Sequence, residues 1–225
     1  IRQLGKLTAA GILDPLSAGS KIVMSKLTDA EALKAQRVHP IALLQSLKQY
    51  SVGHGEKGSL TWTANQRVVD ALNDAFYASF ANVEDTGAGM LVGVDCSPSM
   101  FGANVAGSPN LNAAEVAAVM ALACVKAQSN YFIGGFSGSF KPLEISPNMR
   151  LDAVLSKMRS FLWSGTDCAQ PMLYAMQQKM SNVDLFLVIT DNDTNCGYMH
   201  PSQALRDYRK QYNASAKSVV IGTMA

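Results

Sequence analysis

Apolar residues along this chain follow two different periods. Up to about residue 85 they recur at helical spacing, Ile22, Val23 and Leu27 on one stretch and Ile41, Leu43, Leu44 and Leu47 on the next. Asp14-Pro15 and His39-Pro40 break or start helices, because proline fixes its own φ and lacks the amide that a helix interior needs. Residues 51–58 read as a glycine-rich loop, and Val68, Val69, Leu72, Phe76 and Phe80 place an amphipathic helix over 65–80. Three or four short helices without a strand are too little for a core of their own, so this segment reads as the end of a larger helical array.

From about residue 86 short apolar runs alternate with helices. Strands are predicted over 90–94, 131–136, 140–145, 184–189 and 218–221, with 140–145 as the hairpin partner of 131–136 and 184–189 as the strongest signal. Helices are predicted over 112–128, 149–161, 168–180 and 201–212, the last started by Pro201. Such alternation predicts an α/β fold with a mainly parallel sheet covered on both faces. Ligands of these sheets gather at the carboxyl ends of the strands, which is where chemistry is to be sought.

Composition adds bounds. The chain has 225 residues, 48% of them apolar, enough for one domain or one and part of a second. Its net charge of +2 hides an uneven distribution: residues 1–57 hold eight Lys/Arg against four Asp/Glu, 58–85 hold one against four, and the remainder ten against nine. A basic head precedes a nearly neutral body, and the total neither demands nor excludes nucleic acid. The most apolar helical run, 116–125, stops at Lys126, short of a membrane span. The amino end, Ile1-Arg2-Gln3-Leu4-Gly5-Lys6, has no signal-peptide pattern and no initiator Met, so an excised fragment is expected. Cys96, Cys124, Cys168 and Cys196 form no CxxC pair; free thiols in a reducing compartment are expected rather than a zinc site.

The candidate chemistry lies at two strand ends and one loop. Asp95, Ser97 and Ser99 follow the first strand at i, i+2 and i+4, so an extended turn brings a carboxylate and two hydroxyls together. The strongest strand delivers Thr190-Asp191-Asn192-Asp193 at the same edge, and Ser164-Gly165-Thr166-Asp167 makes a glycine turn before a helix. Oxygens of this kind suit a hard cation such as Mg2+. Each part alone also reads as a turn or helix cap; the trio at one sheet edge favours the metal. With two carboxylates the ion keeps positive charge and an open position, which an acidic group from a partner can fill.

Asp95-x-Ser97-x-Ser99, the later Gly165-Thr166-Asp167 and Asp191 resemble the metal-ion-dependent adhesion site of von Willebrand factor A-type domains. More narrowly, Ser-Gly-Thr-Asp-Cys-Ala-Gln-Pro-Met (164–172), Thr-Asp-Asn-Asp-Thr (190–194) and the stretch from His200-Pro201 to Arg209-Lys210 resemble the Ro autoantigen family. Leu-Gly-Lys-Leu-Thr-Ala (4–9), Arg37-Val38-His39-Pro40, Tyr50-Ser-Val-Gly-His-Gly55 and Ala75-Phe76-Tyr77 are similar to the last helices of its TROVE module. The resemblance implies terminal helices of a TROVE-type helical-repeat ring over 1–85. It implies a Rossmann-like A-type domain over 86–225, lacking its last helix and strand and leaving an unpaired sheet edge. It further implies a noncatalytic RNA-binding component of a ribonucleoprotein, taking Y RNA and misfolded small noncoding RNAs in RNA quality control. Its location would be cytoplasmic and, in a eukaryotic source, also nuclear. The metal role passes to Asp95, Ser97, Ser99, Thr166 and Asp191, the three hydroxyls binding directly and the two carboxylates largely through water, with Mg2+ the expected ion. Most of the ring lies outside these residues, and with it the principal RNA surface.

Lys6, Lys21, Lys26, Lys34 and Arg37 of the basic head are candidate phosphate contacts, or else a solvated helix face. His54 and Lys57 are further candidates, or parts of a plain loop. Arg206, Arg209 and Lys210 read as capping and solvating one helix, His200 as a cap, and Trp62, Trp163 and the methionines as packing. Two other functions compete. One is an adhesion-type protein-interaction module, whose partner donates an Asp or Glu to the metal and which has no RNA role. The other is a metal-dependent phosphohydrolase on Asp95 and Asp191, for which the sequence offers no GxxxxGK[ST], HExxH or GxSxG motif and no positioned general base.

Overall fold

The computed structural model describes residues 3–56, 58–105, 107–161, 165–191 and 194–223. The chain divides into two compact units, Ile1–Val83 and Glu84–Ala225. Among the described residues no helix is long and apolar enough to cross a membrane.

The first unit is helical: α1 (Leu4–Ala9), α2 (Ala18–Leu27), α3 (Ala30–Ala35), α4 (Pro40–Val52) and α5 (Gln66–Ala78), the last continued by a 3₁₀ turn at Ser79–Asn82. The caps are those the sequence supplies. His39 Nδ1 accepts from the Ile41 amide ahead of Pro40, and Asn65 Oδ1 accepts from the Arg67 amide at the start of α5. Leu13, Leu43, Val68, Leu72 and Phe76 are all at most 1% exposed. Among the described residues five helices form rather than three or four, because α1 and α3, at six residues each, are too short to display a period. Tyr50 fastens them: its hydroxyl pairs with Thr8 Oγ1 at 2.8 Å and accepts from the Asn65 amide at 3.1 Å, while Trp62 Nε1 donates to its carbonyl. Trp62 thus packs between helices as expected, and Trp163 lies outside the described residues.

The second unit runs β1 (Met90–Asp95), α6 (Ser99–Gly102), β2 (Asn104–Val105), β3 (Ser108–Asn112), α7 (Ala113–Ala127), β4 (Tyr131–Phe136), β5 (Phe140–Pro142), α8 (Leu151–Arg159), α9 (Gln170–Gln177), β6 (Leu185–Thr190), α10 (Pro201–Gln211) and β7 (Lys217–Gly222). Five strands pair in the order β5-β4-β1-β6-β7, parallel except for β5. The hairpin partner expected over 140–145 is shorter, Phe140–Pro142, although the Leu143 amide still donates to the Ile133 carbonyl at 3.1 Å. The short α6 and the β2-β3 hairpin are additions to the predicted order, between β1 and the long helix.

β1 is buried along its whole length, as a strand covered on both faces must be. One face packs Leu91, Phe136, Phe186 and Val188 against Met172 and Ala175 of α9 and Ala204 and Tyr208 of α10. The other receives α7, which is apolar almost all round and started by a capping box in which Asn112 and Glu115 exchange side-chain and backbone bonds. β7 lies at the edge, with Val219 and Val220 exposed.

Candidate metal centre

The strand order sets the site. β1 lies between β4 and β6 in parallel register, Asp95 level with Phe136 and Val94 level with Ile189. The residues that follow these three strands therefore leave the sheet at one edge.

Asp95, the last residue of β1, is fully buried. Its Oδ1 accepts from the Ser97 amide at 2.9 Å, the turn that an Asp two residues before a serine favours, and its Oδ2 accepts from Thr190 Oγ1 at 2.7 Å. Burial pushes the Asp95 carboxyl above the usual carboxylate range; bonds from Ser97 and Thr190 oppose the shift, and the charge of Asp191 reinforces it. Among the described residues no cationic side chain is one of the groups acting on it. A buried carboxylate is ordinarily paired or bound to a metal. Ser97 is buried and Ser99 exposed, and their Oγ atoms stand 3.0 Å apart. Asp191 follows β6 directly and is half-buried.

Thr166 reaches the same edge from the loop before α9 and is 1% exposed. Its amide donates to Asn195 Oδ1 at 2.9 Å, and its carbonyl accepts from the amides of Asn195 and Cys196 at 3.0 and 3.2 Å. The next residue, Asp167, donates its amide to the carbonyl of Ser137, just past β4, while its carboxylate accepts from the Ala169 amide and Gln170 Nε2. Burial raises the Cys168 thiol, and the charges of Asp95 and Asp167 also act on it, so this loop lies beside the end of β1. Ser137 Oγ is buried and has no hydrogen-bond partner among the described residues, the kind of atom that a bound water or ion satisfies.

The structure thus gathers Asp95, Ser97, Ser99, Thr166 and Asp191 at one sheet edge, brings Thr190 and Asp167 of the quoted stretches there as hydrogen-bonding neighbours, and adds two residues that no motif in the sequence includes, Ser137 and Asn195. Among the described residues no cluster of three or more His, Cys, Asp or Glu is placed to hold a metal, so the donor set rests on hydroxyls and two carboxylates.

The candidate RNA contacts are not gathered in this way. Lys6 on α1, Lys21 on α2, Arg37 after α3 and His54 in the glycine loop are all exposed, on four separate elements, and Lys57 lies outside the described residues. His54 forms an isolated bridge with Thr61 that closes the loop. On α10, Arg206 bonds Gln203, Arg209 Nε donates to the Ala216 carbonyl, Lys210 pairs with Asp207 and His200 caps the first turn.

A mainly parallel sheet with helices on both faces, and a carboxylate and two hydroxyls at the end of its central strand, defines a von Willebrand factor A-type domain. The chain belongs to the family of the Ro60 vWA domain, whose family model matches residues 89–225. It is 39% identical over 226 residues to the RNA-binding protein RO60 of Deinococcus radiodurans, covering 100% of this chain and 42% of that protein. It is 34% identical over 224 residues to the RNA-binding protein RO60 of Caenorhabditis elegans, covering 100% of this chain and 34% of the relative. The crystal structure of the Deinococcus radiodurans RO (RSR) protein superposes with a TM-score of 0.92 at 40% identity, over 100% of this chain and 45% of that one. The chain spans less than half the length of each.

Proposed function

We propose that this chain belongs to a noncatalytic RNA-binding protein of the Ro type whose A-type unit holds a divalent cation, Mg2+ first among them. The observation that carries the cation is the pair of hydroxyls over a buried, cation-free carboxylate. Ser97 Oγ and Ser99 Oγ are 3.0 Å apart, and adjacent oxygens around an octahedral ion with bonds of about 2.1 Å are separated by about 3.0 Å. Ser97, Ser99 and Thr166 would hold the ion through their hydroxyls, and Asp95 and Asp191 through ordered water. Bound there, the ion supplies an electrophilic open position for an anionic oxygen, such as the Asp or Glu of a protein partner.

RNA binding is supported by the two relatives named as RNA-binding proteins, which match the entire chain. In this reading Y RNA and misfolded small RNAs meet the helical unit, where Lys6, Lys21 and Arg37 supply phosphate contacts. Filter binding of a structured RNA with a single-stranded 3′ end tests it: affinity is expected to fall steeply between about 50 and 200 mM salt. Equal affinity at both salts overturns the RNA reading. Calorimetry tests the ion, which the wild-type chain should take up and the Ser97→Ala variant should not.

A further inference from the structure

Thr166 is the one proposed hydroxyl ligand that does not come from the β1 loop, and something must hold it at the sheet edge. It follows Gly165, whose φ of +80° lies in the left-handed region and whose missing side chain leaves the turn no stiffness of its own. We infer that Asn195 is the positioning residue that fixes Thr166 as a ligand, an inference that rests on the cation reading above. Asn195 Oδ1 accepts from the Thr166 amide at 2.9 Å, and the Asn195 amide donates to the Thr166 carbonyl at 3.0 Å. This reciprocal pair resembles one rung of an antiparallel ladder with a side chain in place of one strand, and it immobilises both peptide planes flanking Thr166.

Neighbouring groups join the clamp. The Cys196 amide and Thr194 Oγ1 donate to the same carbonyl at 3.2 and 3.3 Å. The segment lies close along the Thr166 loop. A Cβ on Gly165 would stand 2.9 Å from Cys196 Sγ and 3.5 Å from Asn195 Oδ1, and one on Gly197, at φ +100°, would stand 2.5 Å from Asp167 Cγ. Asp191 and the clamp belong to the same connection between β6 and α10. Asn195 thereby ties Thr166 to the connection that carries Asp191. Groups that hold a metal ligand without touching the metal are commonly worth about 10–100-fold in affinity.

The test uses the full chain and Mn2+, an ion with the same taste for oxygen whose uptake is read by electron paramagnetic resonance and calorimetry. Asn195→Ala is expected to weaken Mn2+ binding by about 10–100-fold and to speed hydrogen exchange at the Thr166 amide in the metal-free protein. Asn195→Asp keeps the acceptor oxygen and is expected to restore both. Thr194→Val, which removes one bond to the carbonyl and the acceptor of the Cys168 amide, should shift affinity in the same direction by less and serves where Asn195→Ala does not fold. If the wild type binds Mn2+, Asp95→Ala does not and Asn195→Ala binds like the wild type, the clamp is overturned while the cation site stands. If the wild type takes up no Mn2+, the cation reading falls and this inference falls with it.

Discussion

Burial separates the four thiols of this chain into three inert ones and one that solvent reaches. Cys96 is pushed up to about 12 and Cys124 to about 11, both chiefly by desolvation, and burial raises Cys168 as well. Cys196 is exposed. Because the thiolate is the reacting form, an aromatic disulfide reagent at mildly alkaline pH should titrate one thiol rapidly in the native protein and four in denaturant, with Cys196→Ser removing the fast phase. Two rapid thiols would contradict the burial of the others. The same shifts carry a sign for stability. A thiol raised in the folded state contributes fully below its unfolded value of about 8.5 and loses that contribution as pH climbs through 11–12, so alkaline pH should lower the unfolding midpoint. At this scale Asp95, Ser97 and Ser99 were legible because their spacing within one turn is a local property. Asn195 was not, since its bond to Thr166 spans 29 positions and nothing near residue 195 announces it. Thr190 stood in view beside Asp191, but its bond to Asp95 is set by the pairing of β1 with β6 and not by either stretch alone.

The elements most readable in advance were those buried on both sides, because a continuous apolar run such as 185–189 has few alternatives. The β2-β3 hairpin escaped because Ser108-Pro-Asn-Leu-Asn112 lacks both alternation and β-branched residues. α10 shows how an element with little apolar sequence is nonetheless anchored. Tyr208 is fully buried against Phe186 in an edge-to-face contact at 4.8 Å, its hydroxyl donates to the Met180 carbonyl at 2.8 Å, and it accepts from the Val183 amide at 3.3 Å. These bonds tie α10 to the stretch between α9 and β6, next to the strand whose far end carries Asp191. Tyr208→Phe keeps the ring but leaves the buried Val183 amide and the part-buried Met180 carbonyl without this partner, so urea unfolding should show a loss of about 1–3 kcal/mol. A loss no larger than that of a surface substitution would mean that the ring alone holds the helix.

Over the whole molecule the net charge of +2 is the sum of a basic helical head and a nearly neutral body. The proposed RNA contacts Lys6, Lys21 and Arg37 fall in the unit that ends at Val83, whereas every proposed cation ligand falls in the unit that starts at Glu84. Two binding functions resting on different units respond to different perturbations. Mg2+ stabilises only the state that binds it, by about 2.7 kcal/mol at a concentration of about a hundred times Kd. Added Mg2+ should therefore raise the unfolding temperature of the A-type unit, and EDTA or Asp95→Ala should remove that rise, with RNA affinity unchanged in every case. Replacing Lys6, Lys21 and Arg37 together by Gln should do the reverse. It should leave the Mg2+ response intact, weaken RNA binding and reduce the slope of log K against log salt by about 0.7–0.9 for each phosphate that is no longer neutralised. RNA binding that EDTA abolishes while the triple variant leaves it intact would place the RNA at the carboxyl edge of the sheet and refute this division of labour between the two units.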